Sequence, residues 1–288
     1  MEATAHAPDW LGACRRIVAE IGVMLDAHPS TGERAVELSR GAGGDRTLVI
    51  DAAAEELIFD ELERLHGAGH EFSVISEERG EVAFGAGELR VVVDPIDGSM
   101  NAKRGLWPYT VSIAVADGPS MADVSFAFVH DFGLGEEWSA ERGAGARLNG
   151  RALSLAAGER RTPEGRLELV AIEAARAQRI GSGLPGLSAV AHRLRMFGSI
   201  AFSLCQLSGG RVDGMVTLWP ARSVDAAAGQ LIVRESGGHV AFTAGDDPLG
   251  FALDLAARSP IIAAGTPVAL AELAVAVAEP DGLRSSER

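Results

Sequence analysis

Residues 89–101, LRVVVDPIDGSMN, constrain this chain more than any other stretch. Leu89 to Val93 form an apolar, mostly β-branched run, the pattern of a buried strand. The run leads straight into two carboxylates, Asp94 and Asp97, held three residues apart by Pro95. Gly98 and Ser99 follow, a tight turn able to open a helix. Paired carboxylates at a strand end suit hard cations such as Mg²⁺, which take oxygen ligands. Backbone N–H groups at a helix start suit a phosphate. Both within six residues point to metal-assisted phosphate chemistry. Taken alone, the same pattern also serves as a plain strand end with a capped turn.

The 288 residues suffice for one large domain or two intimate lobes. A formal charge of −14 argues against a nucleic-acid backbone as partner, because phosphate neutralisation needs a basic face. It still permits a small phosphorylated substrate, since bound cations invert the local sign. Cys14 and Cys205 stand far apart in apolar contexts and read as buried thiols, without zinc spacing or a disulfide framework. No basic-then-apolar leader and no apolar run of about 20 residues is seen, so a cytoplasmic protein without membrane partners is expected.

Along the chain, residues 9–28 read as an amphipathic helix, and residues 40–47, RGAGGDRT, as a Gly-rich loop. That loop is either a phosphate cradle or a lid or turn. A helix of strong formers starts at Asp51, a candidate N-cap. FSVIS ends as a strand at Ser76, before Glu77 and Glu78, an acidic pair that is commonly a solvated turn. Strands are expected at 109–117, 123–130 and 135–140, and a turn-rich hairpin at 142–150. The second half alternates: strands at 168–173, 193–197, 214–219, 238–243 and 260–265, helices after Ser199, from Asp225 to Glu235, and at 267–279. The expected division is an α+β lobe over 1–150, an α/β lobe over 151–280 and a frayed tail over 281–288.

Five acidic positions therefore stand at element ends: Asp51, Glu77, Asp94, Asp97 and Asp225. In alternating α/β structure, sites gather at the carboxyl ends of strands. Three helix starts, near Ser99, Ser199 and Asp225, would favour an anion between them if they converge. Spacing alone does not bring residue 225 to residues 94 and 97.

D-P-I-D-G-S at 94–99, S-E-E at 76–78 and V-D-A-A-A-G-Q-L-I-V-R-E-S-G-G at 224–238 together resemble the inositol monophosphatase family, lithium-sensitive Mg²⁺-dependent phosphatases that include fructose-1,6-bisphosphatase. The resemblance spans about residues 10–278. It implies an α-β-α-β-α layered sandwich with a mixed, largely antiparallel first sheet. It further implies that Glu77, Asp94 and the Ile96 carbonyl bind one Mg²⁺, and that Asp94, Asp97 and Asp225 bind a second. Glu77 and Asp51 would assist a weaker third. Asp51 and Ser99 would activate the attacking water, and the N–H groups of Gly98 and Ser99 would hold phosphate. Gly198, Ser199 and Ile200 would touch the non-reacting part of the substrate. Relatives are usually dimers, so a homodimer is expected.

Departures bear on the substrate. Val224 replaces the family's usual Trp, Ala102 its usual Phe, and Ser99 its commoner Thr. The acidic residue that holds inositol hydroxyls falls at Leu218. Arg222 is nearby, either to meet a second phosphate or to form a surface ion pair. Val224, Ala102 and the 43–56 segment look like the archaeal-type subgroup, whose members often hydrolyse both inositol phosphates and fructose 1,6-bisphosphate. A plain inositol monophosphatase, a 3′-phosphoadenosine 5′-phosphate or histidinol-phosphate phosphatase, and a non-catalytic metal-binding regulator of the same fold are the alternatives.

Overall fold

The computed structural model describes residues 7–44, 46–174 and 177–278. The tail expected to fray, 281–288, lies outside the described residues. Helix α1 (Trp10–Ala27) buries Ala13, Cys14, Ile17, Ile21 and Leu25, a stripe at helical spacing. Helix α3 (Val49–Gly67) buries Ile50, Ala54, Ile58, Leu62 and Leu65. The two helices pack together and cover one face of an eight-stranded sheet.

That sheet contains β3 (Phe72–Ser76), β4 (Gly80–Phe84), β5 (Arg90–Asp97), β6 (Thr110–Ala116), β7 (Val124–Asp131), β8 (Glu136–Glu141), β9 (Gly145–Leu148) and β10 (Arg151–Ala152). Its order is β10-β9-β8-β7-β6-β5-β3-β4. Every pair is antiparallel except β3 with β5. Strand β5 is apolar on both faces because both are covered. Val91 and Val93 face α1 and α3, while Val92 joins a second core on the other side.

That second core holds α6 (Ile200–Ser208), buried throughout, and α7 (Ser223–Glu235), buried from Ser223 to Val233. The two helices lie between the large sheet and a five-stranded one. The smaller sheet has β11 (Leu167–Glu173), β12 (Ala191–Arg195), β13 (Gly214–Thr217), β14 (His239–Phe242) and β15 (Ile261–Ala264), in the order β12-β11-β13-β15-β14. Helices α5 (Ala177–Val190) and α8 (Pro267–Val277) cover its outer face. The layering is α-β-α-β-α, as expected. Both cysteines are buried and free.

Several elements differ from the sequence reading. Helix α3 begins at Val49, so Asp51 is its third residue and Leu48 the N-cap. Asp51 Oδ2 accepts the Leu48 N–H at 3.2 Å, the task of an acid at that position rather than of an N-cap. Helix α7 likewise starts two residues early, and Asp225 Oδ2 accepts the Arg222 N–H at 3.0 Å. The Gly-rich stretch connects a short ribbon of β1 (Glu37–Arg40) and β2 (Arg46–Leu48), preceded by α2 (Thr31–Arg34). Helix α5 was not anticipated because GSGLPG reads as a turn. It holds by packing on α8, where a Cβ at Gly186 would meet the Ala276 carbonyl at 2.0 Å.

Candidate active site

The end of β5 is bent. Asp94 pairs with Ser112 and Asp97 with Thr110, so three steps on β5 oppose two on β6. This bulge sits where Pro95 has no N–H to give the ladder. Gly98 (φ 95°) then turns the chain into the short helix α4 (Ser99–Arg104). A Cβ there would lie 3.0 Å from the Pro108 carbonyl and 3.2 Å from that of Gly198, itself a left-handed glycine. The two turns approach so closely that only glycine fits at residue 98.

One carboxylate oxygen from each of Glu77, Asp94 and Asp225 lies within 4.8 Å of the others. The three come from the turn after β3, from β5 and from the first turn of α7. Asp94 Oδ1 and, in the first turn of α3, Asp51 Oδ1 are buried without a hydrogen-bond partner. Unpaired buried carboxylate oxygens are costly, and an all-oxygen set of this kind fits a hard cation. Burial pushes the carboxyls upward. Glu77 reaches about 8, with Asp225 and Glu78 raising it and Arg222 opposing. Asp94 rises well above the ordinary range through burial and the charges of Glu77 and Asp97. Burial lifts Asp51 to about 7 against the Leu48 N–H, and Asp97 to about 7 beside Asp225.

Asp97 stands apart from the tight triple. Its Oδ2 accepts the Ser199 hydroxyl at 2.7 Å and the Ala201 N–H at 2.6 Å. The Ser199 oxygen also caps α6 by accepting the Phe202 N–H at 3.1 Å. Ser99 donates to the Ile96 carbonyl at 2.8 Å and lies close enough to favour the ionised form of Asp51. A cavity of about 400 Å³ opens beside these groups, lined by Asp97, Asp225 and Arg222 together with Asn101, Glu173, Met196 and Phe197–Ile200.

The inositol monophosphatase family model matches residues 13–280. This chain belongs to the inositol monophosphatase family. Among its relatives are two fructose-1,6-bisphosphatase/inositol-1-monophosphatases. That of Methanothermobacter thermautotrophicus is 32% identical over 268 residues, covering 89% of this chain and 92% of the relative. That of Archaeoglobus fulgidus is 29% identical, covering 89% and 93%. The Escherichia coli Nus factor SuhB is 32% identical over 215 residues, 73% of this chain and 77% of the relative. The solved structure of Thermotoga maritima IMPase superposes with a TM-score of 0.73 at 26% identity, covering 93% of this chain and 97% of that one.

Against this family background, two features were not legible in the sequence. Glu173, at the end of β11, is buried in the cavity wall. It accepts the N–H groups of Phe197 and Gly198, both at 2.9 Å, and the Ser203 hydroxyl at 2.7 Å. Burial lifts it to about 7. Asn101 Nδ2 donates to the Pro108 and Phe197 carbonyls at 2.8 and 2.7 Å. No motif marks a carboxylate whose partners are backbone amides 24 residues away. Arg222 lines the cavity, and its guanidinium bonds Glu77 and Asp225. Glu78 braces the Gly-rich loop, accepting the Ala42 N–H on its carbonyl and the Thr47 hydroxyl on its side chain. Leu218 follows β13 and packs into the apolar core under α8. Among the described residues, no helix is long and apolar enough to cross a membrane.

Proposed function

We propose that this chain is a Mg²⁺-dependent phosphomonoesterase acting on inositol 1-phosphate and fructose 1,6-bisphosphate through a metal-activated water. The observation that carries the reading is the Glu77–Asp94–Asp225 triple beside the unpartnered oxygens of Asp94 and Asp51. The names of the two archaeal relatives, which combine both activities, support the dual substrate.

Two to three ions are proposed, held by Glu77, Asp94 and the Ile96 carbonyl, by Asp94, Asp97 and Asp225, and by Glu77 with Asp51. Bound there, they would acidify a water and neutralise phosphate oxygens. Asp51 would take the water's proton on Oδ1, since Oδ2 is engaged by Leu48 and a pKa near 7 suits that exchange. Ser99 would orient the water, and the N–H groups of Gly98 and Ser99 would hold the phosphate. Asp97 has one oxygen fixed by α6, which leaves the other for a cation. Gly198, Ser199 and Ile200 would border the rest of the substrate, and Arg222 would meet a second anionic group. Residues 1–150 would supply every metal ligand except Asp225, and the 151–280 lobe would supply that ligand and the substrate contacts. A cytoplasmic, Li⁺-sensitive homodimer fits the same reading.

The test is phosphate release with Mg²⁺ from inositol 1-phosphate, fructose 1,6-bisphosphate, 3′-phosphoadenosine 5′-phosphate and histidinol phosphate. Comparable turnover of the first two is expected. Turnover of one alone would narrow the assignment to it. No turnover of any, by protein that binds Mg²⁺, would favour the regulatory reading that the likeness to the Nus factor raises.

A further inference from the structure

The carboxylate triple already carries a cation of its own. Arg222 Nη1 is 2.5 Å from Glu77 Oε1, and Nη2 is 3.1 Å from Asp225 Oδ1. Nε donates to the same Asp225 oxygen at 3.2 Å, while Oδ2 takes the Arg222 backbone N–H at 3.0 Å. The Arg222 side chain is only 15% exposed, and those of Glu77 and Asp225 are 12% and 11% exposed. A rigid planar fork therefore uses two of the three carboxylates that cluster most tightly.

The loop between β1 and β2 closes over this contact. Gly43 N donates to the Glu77 carbonyl at 2.7 Å. A Cβ on Gly43 would lie 2.9 Å from Arg222 Nη1. Arg258 Nη2 in turn donates to the Gly43 carbonyl at 3.4 Å. The guanidinium is thus held by two acids and lies against the backbone of Gly43.

A divalent ion taking Glu77 Oε1 and Asp225 Oδ1 needs the oxygens that the guanidinium holds. It would also meet a positive charge a few ångströms away, in surroundings where such repulsion is poorly screened. We propose that Arg222 is an internal counter-cation that competes with the metal for Glu77 and Asp225, so that metal entry requires its guanidinium to leave both. The inference rests on the reading of this triple as metal ligands. It makes Arg222 a setter of metal affinity: it steadies the acids when no metal is bound and weakens the metal when one is.

Two readouts with opposite signs test it. Mg²⁺ binding is measured by calorimetry on the full-length wild type, Arg222→Met and Arg222→Lys, and melting temperature is measured in EDTA. Arg222→Met keeps the apolar stem and removes the charge. It should bind Mg²⁺ about tenfold more tightly, given the charge repulsion removed, yet melt lower in EDTA. Arg222→Lys should fall between. A purely structural arginine would lose on both counts. Equal or weaker Mg²⁺ affinity in Arg222→Met, or an unchanged or raised EDTA melting temperature, overturns the proposal. Should Arg222→Met fail to fold, the wild type decides. Its Arg222 Nε–H resonance, assigned by its loss in Arg222→Lys, should shift with the midpoint of Mg²⁺ binding. A resonance that stays fixed while Mg²⁺ binds overturns the proposal. A wild type that binds no Mg²⁺ at all overturns the metal reading itself, and the inference with it.

Discussion

Asp51 carries two tasks on two oxygens. Oδ2 holds the Leu48 amide at the start of α3, and Oδ1 is buried with no partner. Asp51→Asn keeps an oxygen for Leu48 and removes the proton acceptor. Its kcat should fall by about 10²–10⁴-fold, with the circular dichroism spectrum retained and Mg²⁺ still bound at the sites that lack Asp51. Turnover within a few-fold of wild type would remove Asp51 from the reaction. Glu173 gives a pH-dependent counterpart. Its carboxyl is raised from 4.5 to about 7 in the fold. Its contribution is therefore complete below pH 4.5 and is lost as pH rises through 7, by up to about 1.4 kcal/mol per pH unit in that window. The stability margin of wild type over Glu173→Gln should shrink from pH 5.5 to 8 in denaturant titrations. A constant or widening margin would contradict the assignment. The acids at 77, 94, 97 and 225 stand at strand or helix ends recognisable in the sequence, but only the resemblance to the family implied that they act together. Glu173 ends a strand too, yet two of its three partners are main-chain amides, which leave no trace in residue type.

At the scale of elements, the start of α6 joins the two sheets' contributions. Ser199 bonds Asp97 from β5 and caps its own helix at Phe202. The sequence placed Ser199 at a helix start, and its hydroxyl points at Asp97. That direction follows from the bulge in β5, which no spacing argument contains. Ser199→Ala removes the cap and one of the two bonds to Asp97 Oδ2. It should cost about 1–2 kcal/mol in denaturant unfolding and weaken Mg²⁺ binding, since Asp97 loses a constraint. A Mg²⁺ affinity equal to wild type would show that Ala201 N–H alone fixes Asp97. Most strands were legible from alternation or apolar runs. Helix α5 was not, because its Gly and Pro content obeys turn statistics while its contact with α8 decides the outcome.

For the whole molecule, the decisive fact is that Asp94 and Asp225 belong to different layers. Asp94 lies in the last half of a strand of the large sheet, and Asp225 in the first turn of a helix of the central layer between the sheets. Their meeting is a product of topology: 131 residues separate positions that share oxygens within 4.8 Å. A cation held by both would tie sheet to helix layer, so its binding energy would appear as stability of the entire fold. At a hundredfold excess over Kd, Mg²⁺ should add about 2.7 kcal/mol, a rise of roughly 5 °C in Tm for a chain of this size. Hydrogen exchange should slow in β5 and α7 together. Asp225→Asn keeps an oxygen for the Arg222 N–H and leaves Glu77 and Asp94 in place, yet it severs the tie. Its Mg²⁺-dependent rise should therefore collapse, and any residual protection should stay in β3 and β5. If the rise in Tm persists in Asp225→Asn, or if α7 gains protection there as in wild type, the metal does not bridge the layers. The ligands would then all come from the first half of the chain.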